Sequence, residues 1–298
     1  MIKTRVVSIA VMLLLQGNSP AWALVFSGEA SGYGISGFEI LGPAPQLQIP
    51  ETPTIAGIAP VPFVDNANLA TSNFTSVFGV FTIAESDTGE LDVNISSDVD
   101  GAVGNRSASA DATVDNVSIQ TVTQVVPPLV PVTLDFVLDV QATEIHSATD
   151  VSGEFGALAP SGTATLSGSS GANNDQASIT VLGVEFLLDS NPLPHPASSF
   201  MITQAQVPGL EGQIEVRLNE QILTGDGIND QSIEVNALRI LIGTGMIKLP
   251  PNFTDAAWAG DIIAAHSEAA LQAIPEPSTL LLAALGLLGM TSRRRRVK

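Results

Sequence analysis

Leu91 to Asp115 reads LDVNISSDVDGAVGNRSASADATVD. Leu91, Val93 and Ile95 alternate with Asp92, Asn94 and Ser96; Ala108, Ala110, Ala112 and Val114 alternate with Ser109, Asp111, Thr113 and Asp115. A period of two sends one small apolar face to a core and one acidic, hydroxylated face to water, which is the pattern of a half-buried β-strand. Asp98 to Gly104 divides the two runs with turn-forming Asp and Gly. The stretch therefore predicts two strands and a connection between them.

The same texture continues outward. Asn73 to Ala84 reads as a strand rich in Phe, Val and Thr, with a turn at Glu85 to Gly89. Val117 to Val126 continues in Val, Ile and Thr until Pro127, Pro128 and Pro131 break the chain. A strand from Val132 to His146 follows, with Phe136, Leu138 and Val140 opposed to Asp135, Asp139 and Gln141. Gly162 to Gly168, Ser178 to Leu188, Ser199 to Ala205, Gly212 to Asn219 and Ser232 to Ile242 read as further strands between Gly, Pro, Asn and Asp clusters. Asp261 to Gln272 fits a short helix or a last strand. Near the start, Leu24 to Leu41 (LVFSGEASGYGISGFEIL) reads as a strand; its G-x-G-x-x-G at Gly32 to Gly37 runs into Gly42-Pro43, not into the helix a dinucleotide site requires. The Pro-rich segment 42–68 reads as an extended surface connection. No 3.6-residue stripe is visible, so the class is all-β. The absence of a fixed short repeat favours a β-sandwich over an extended β-solenoid.

The two ends differ from this texture. Residues 1–23 place Lys3 and Arg5 before an apolar run from Val6 to Leu15 and close on Ala21-Trp22-Ala23, the layout of a secretory signal peptide. The exported domain is then expected over 24–272. Residues 273–298 read AIPEPSTLLLAALGLLGMTSRRRRVK: Pro275, Glu276 and Pro277 break the chain, Thr279 to Met290 carries no charge, and Arg293, Arg294, Arg295 and Arg296 form a cation cluster that resists translocation. The run spans only about 20 Å as a helix, short of a ~30 Å hydrocarbon core, which predicts a short, transient transmembrane helix.

This order of motif, apolar run and Arg cluster resembles the PEP-CTERM sorting signal of Gram-negative bacteria. The resemblance implies an exosortase as partner, with the secretion machinery and the inner membrane, and a destination at the cell surface or in the extracellular matrix. The early SGEASGYGISGFEILGPAPQLQIP and the later LNEQILTGDGINDQSIEVNALRILIG are similar to the choice-of-anchor P family of exported proteins, most clearly at Leu218-Asn219-Glu220-Gln221 and Val235-Asn236-Ala237-Leu238. That family carries one domain on different surface anchors and implies no catalytic residue.

Charge and composition narrow the chemistry. Only Arg106, Arg217, Arg239 and Lys248 lie between residues 24 and 272, against 29 carboxylates. Such a surface repels nucleic acid. With no cysteine, the domain is held by burial alone. No G-x-S-x-G elbow occurs, and His146, His195 and His266 lie on different segments, so neither a nucleophilic triad nor a zinc site is expected. Asp226, Asn229 and Asp230 in the turn GDGIND carry oxygens that suit calcium, although Asp, Asn and Gly also make ordinary hairpin turns. No other cofactor is expected. The reading is a non-enzymatic structural or adhesive protein in contact with extracellular polysaccharide. The alternative is a secreted hydrolase or carbohydrate-binding module, since paired carboxylates suffice for glycoside hydrolysis.

Overall fold

The computed structural model describes residues 24–41, 47–78, 81–102, 104–121, 138–168, 177–188, 198–247 and 256–275. Among these the chain is all strand and turn. The strands are β1 (Leu24–Leu41), β2 (Leu47–Ile58), β3 (Phe63–Leu69), β4 (Ser72–Phe78), β5 (Phe81–Thr88), β6 (Leu91–Ser97), β7 (Arg106–Thr121) and β8 (Leu138–Glu154). They continue as β9 (Ala157–Ser167), β10 (Ser178–Val181), β11 (Val184–Leu187), β12 (Ser198–Thr203), β13 (Leu210–Glu211), β14 (Gln213–Gly225), β15 (Asp230–Ile247) and β16 (Ala256–Pro275). The signal peptide and the transmembrane helix expected from the sequence lie outside the described residues, as do Glu276, Pro277 and the Arg cluster.

Two antiparallel sheets face each other. Sheet A has the order β12-β14-β15-β16-β1-β2, with β13 beside β15. Sheet B runs β11-β10-β8-β7-β5-β4, with β6 and β3 also reached through β7, and β9 beside β8. This is a sandwich, not a solenoid. The segment Asp261 to Gln272 is strand: it lies between β1 and β15, where both backbone edges find ladder partners.

The middle of the sandwich is thin because its residues are small. β1 turns Gly28, Ala30, Gly32 and Gly34 inward, and β16 turns Ala264, Ala265, Ser267 and Ala269 inward. A Cβ at Gly34 would stand 2.6 Å from Leu91 Cδ2, and one at Gly32 would stand 2.8 Å from Val93 Cγ1. Cα atoms of β16 and β7 consequently approach within 8 Å, below the ~10 Å usual for stacked sheets. Gly32 and Gly34 of G-x-G-x-x-G thus serve sheet packing, and Gly37 admits the neighbouring β16 backbone, with Asp261 O 2.8 Å from where a Cβ would stand.

Four expectations are corrected. Ser178 to Leu188 is not one strand: β10 and β11 pair with each other, Ser178 opposite Leu187, across a turn at Leu182-Gly183, where Leu182 takes a positive φ of 46°. The Pro-rich segment 42–68 contains β2 and β3. β2 is an edge strand, where a missing amide proton is tolerated, and a bulge at Pro50-Glu51 opposite Ser36 absorbs the irregularity. Asn73 to Ala84 is not one strand: β4 and β5 fold back on each other with Phe78 opposite Phe81. Glu85 to Thr88 belongs to β5, since Ser86 and Thr88 are small enough to face the core, which leaves Gly89-Glu90 as the turn.

One feature of sheet A has no parallel in the sequence reading. In β14, β15, β16 and β1 the strict alternation is interrupted at the same level. Leu218-Asn219, Ala237-Leu238, Ala264-Ala265 and Gly34-Ile35 each bury two consecutive residues. Asn219 and Ala265 take positive φ values of 54° and 55°. Because all four strands skip together, the register is kept: Glu220 is opposite Asn236, which is opposite His266, which is opposite Tyr33. The skip brings an extra residue inward, and it sets the rows on either side of it on the outer face closely together.

Candidate functional site

On the outer face, this skip gathers Arg217 and Arg239 with the carboxylates they pair with. Glu220 accepts hydrogen bonds from Arg217 Nη1, from Arg239 Nη1 at 3.2 Å and from Asn236 Nδ2 at 3.1 Å. Arg217 also forks onto Glu215 at 2.8 and 3.1 Å, and Arg239 onto Asp261 at 3.1 and 2.8 Å. Burial pushes the Glu220 carboxyl up, but the hydrogen bonds from Arg217, Arg239 and Asn236 together outweigh it and leave it below the usual range. Glu215 is also lowered, chiefly by its hydrogen bond from Arg217. Glu215 and Asp261 are each matched by a guanidinium fork, a geometry that suits a planar cation to a carboxylate, and Glu220 takes one Nη1 from each arginine between them.

The row continues through Asn236 to an aromatic pair. Asn236 gives its amide nitrogen to Glu220 and to Glu234 (3.0 Å), so its oxygen is left to accept from His266 Nδ1 at 2.7 Å. This arrangement places a proton on His266 Nδ1. Its ring stacks on Tyr33 with centroids 4.3 Å apart and planes 12° from parallel. Burial lowers the His266 pKa, against the pull of the Glu234 charge. Burial, aided by Glu51 and Glu234, raises that of Tyr33. Asn219, Glu220, Asn236 and Ala237 come from the two tetrapeptides LNEQ and VNAL. Neither alternation nor a catalytic motif marks them, but the rarity of cations does: two of the four in the domain meet at Glu220.

Sheet B presents a different outer face. Its rows are hydroxyls, amides and carboxylates: Asn66, Asn94 and Asp111 lie side by side, as do Ser96, Ser109, Asp150 and Ser161, and Asp92, Thr113, His146 and Thr165. Asn94 Nδ2 donates to Asp111 Oδ2 at 3.0 Å, and the Ser96 and Ser109 hydroxyls are 2.7 Å apart. A shallow cavity of about 390 Å³ opens over Asp65, Asn66, Asn94, Ser109 and Asp111.

Asp226, Asn229 and Asp230 do come together, in the β14–β15 turn. The Asp226 Oδ1 atom accepts from the amides of Ile228 (2.7 Å) and Asn229 (2.6 Å), and Oδ2 accepts from Asn229 Nδ2 (2.6 Å). Those donors, the Asn229 amide first, hold the Asp226 carboxyl well below the usual range. Both oxygens are thus used to close the turn. Among the described residues no group of three or more His, Cys, Asp or Glu is placed to hold a metal. His146 and His266 lie on different sheets, and His195 is outside the described residues.

The last site is the chain exit. β16 runs to Pro275, which pairs with Leu24, so the sorting motif begins as the end of a central strand. Residues 273–296 match the family model of the PEP-CTERM protein-sorting motif. The chain is an exported protein that carries an exosortase sorting signal. The PEP-CTERM match overlaps β16 by its first three residues, 273–275. No curated protein matches the chain.

Proposed function

We propose that the exported domain is a non-catalytic structural or adhesive component of the cell surface or extracellular polymer matrix, of the choice-of-anchor P kind, released from a signal peptide at Ala23. The observation that carries this reading is the outer face of sheet B. Rows of hydroxyl, amide and carboxylate groups repeat at the ~4.8 Å strand spacing, with donors and acceptors side by side. A polyhydroxylated polymer offers the complementary groups at many points, so weak contacts add through multivalency. The acidic balance keeps such a domain soluble during export. Sheet A supports the role differently: its two arginines tie Glu215, Glu220 and Asp261 across β14, β15 and β16, which stiffens the strands that lead to the sorting signal.

The test is co-sedimentation of the secreted protein with the exopolysaccharide of the producing cells. Replacing Asn94, Asp111 and Thr113 by alanine is expected to lower retention without lowering the melting temperature. Undiminished retention would remove sheet B from the account, and release of soluble sugar by the unaltered protein would establish a hydrolase instead.

A further inference from the structure

The two ends of the sandwich differ in chemistry. At one end Leu24 opens β1 opposite Pro275, so the chain departs toward Glu276 from the middle of sheet A. Three connections share this end. The Asp226–Asn229 turn is tied to β16 by the Ala273 amide, which donates to Asn229 O at 2.7 Å. The Phe155–Gly156 turn is tied to it in turn, through Gly156 N to Ile228 O at 3.1 Å and Leu158 N to Gly227 O at 3.0 Å. The β2–β3 connection docks beside β1, with the Ala59 amide donating to Gly28 O at 2.7 Å.

These connections and the strand ends beside them carry six of the ten large apolar side chains exposed among the described residues. Ile58 and Val61 are each 71% exposed, Val64 88%, Phe155 48%, Leu223 51% and Ile228 49%. They stand on both sides of the exit. β14 and β2 are four strand steps apart in sheet A, about 19 Å, with β15, β16 and β1 between them. An apolar fringe of this kind marks a contact surface. The length of chain beyond it identifies the partner. Only Glu276, Pro277 and Ser278 separate the end of β16 from the uncharged run that starts at Thr279. Three extended residues reach about 10 Å.

We propose that in the precursor this end of the sandwich rests on the lipid surface of the membrane, with Phe155 and Ile228 on one side of the exit and Ile58 and Val61 on the other. The proposal rests on the reading of Thr279 to Met290 as the membrane-inserted part of the sorting signal. Among the described residues this end carries the carboxylates Glu29, Asp98, Asp100, Glu154, Asp226 and Asp230 and a single basic side chain, Arg106, which is paired with Asp100. The contact is therefore apolar and interfacial, and zwitterionic lipid suits it better than anionic lipid. Seated on both sides, the domain cannot swing about its tether, and it holds Glu276 and Pro277 at headgroup level for the exosortase.

The chain has no cysteine, so single-cysteine variants take a label at one place. Full-length precursor with Phe155→Cys, Val61→Cys or, as the control, Leu187→Cys is labelled with an environment-sensitive fluorophore. Leu187 pairs with Ser178 beside Gln141, about 40 Å along β8 from Gly153. Each precursor is reconstituted into exosortase-free phosphatidylcholine vesicles that contain lipid spin-labelled near the headgroup. The expected result is flotation with the vesicles, with emission lost at positions 155 and 61 and retained at 187. Flotation with no greater loss at 155 and 61 than at 187 overturns the lipid seat and leaves the fringe to a protein partner. Failure to float overturns the membrane reading of the tail, and the seat with it. Melting of each labelled variant at the temperature of the unaltered precursor verifies that the label has not unfolded the domain.

Discussion

Glu220→Ala is the sharpest perturbation of sheet A. The Glu220 side chain is 11% exposed and joins Arg217, Arg239 and Asn236 across three strand positions. Each hydrogen bond to a charged group contributes about 1.5–3 kcal/mol in net terms. The three do not add fully, because every donor keeps a second acceptor: Arg217 keeps Glu215, Arg239 keeps Asp261 and Asn236 keeps Glu234. No buried charge is orphaned, so the ~3–5 kcal/mol of a broken buried ion pair is an upper limit. The expected loss is about 3 kcal/mol, or about 6–12 °C in melting temperature for a domain of this size. Glu220→Gln, which keeps the shape and one accepting oxygen, should lose about half as much.

Thermal and urea unfolding followed by circular dichroism at neutral pH give both numbers. A double-mutant cycle with Arg239→Ala isolates the pair, and its coupling should be at least about 0.5 kcal/mol for residues in one network. If Glu220→Ala stays within the ~0.5 kcal/mol typical of surface substitutions, the network stabilises nothing and the skip in sheet A has some other cause.

Three further outcomes follow from the site. His266 has a folded pKa below its unfolded value of about 6.5, so its contribution is present above that pH and is lost as pH falls toward the folded value; His266→Phe should flatten the loss of stability just below pH 6.5, leaving the separate carboxylate loss, which begins only as pH falls below the ordinary glutamate value of about 4.3 toward the lower folded values of Glu215 and Glu220. Asp226→Ala should lower the melting temperature equally in chelator, magnesium and calcium, because it removes a turn-closing acceptor; a loss confined to calcium would make Asp226, Asn229 and Asp230 a metal site. Replacing Pro275, Glu276 and Pro277 with alanine should leave uncleaved precursor in the membrane fraction, and normal release by mass spectrometry would contradict the sorting role of the motif.

The fold class was legible because the alternation in Leu91–Ser97 and Arg106–Thr121 depends only on local side chains. Leu91, Val93 and Ile95 are buried as their spacing requires. The topology was less legible where local signals pointed elsewhere. Pro50 and Pro53 argue against a strand anywhere but at an edge, and edge position is a property of the finished sheet. The alanines of Asp261 to Gln272 favour helix by propensity, and only the two neighbouring ladders override them. Phe78 and Phe81 read as one continuing strand, although they pair across a fold. The site was least legible. Leu218-Asn219 and Ala237-Leu238 each hide a double inward step, and nothing in either pair alone predicts that the other three strands skip at the same level. Glu220 meets two of the few cations only because of that shared step.

The order of strands in the two sheets bears on how export and folding proceed together. All nine strands of sheet B come from residues 63–187, with short connections such as Phe155-Gly156 between β8 and β9 and Leu182-Gly183 between β10 and β11. The centre of sheet A instead pairs residues 24–41 with 256–275, more than 200 positions away. Closing so long a loop costs entropy before any contact offsets it, so local hairpins are expected to form first and the β1–β16 pair last. In the living cell that delay is imposed twice, because β16 reaches the far side of the membrane only after every other strand. The last register to close ends at Leu24 and Pro275, where the sorting motif begins. Completion of the sandwich and presentation of the motif are then one event, and a chain that fails to fold presents the motif without its rigid support. Pulse-labelled hydrogen exchange during refolding checks the order: amides of β7 and β8 should gain protection before those of β1 and β16. Simultaneous protection of both pairs would show that the ends of the chain join the nucleus, and the link between folding and sorting would lose its kinetic basis.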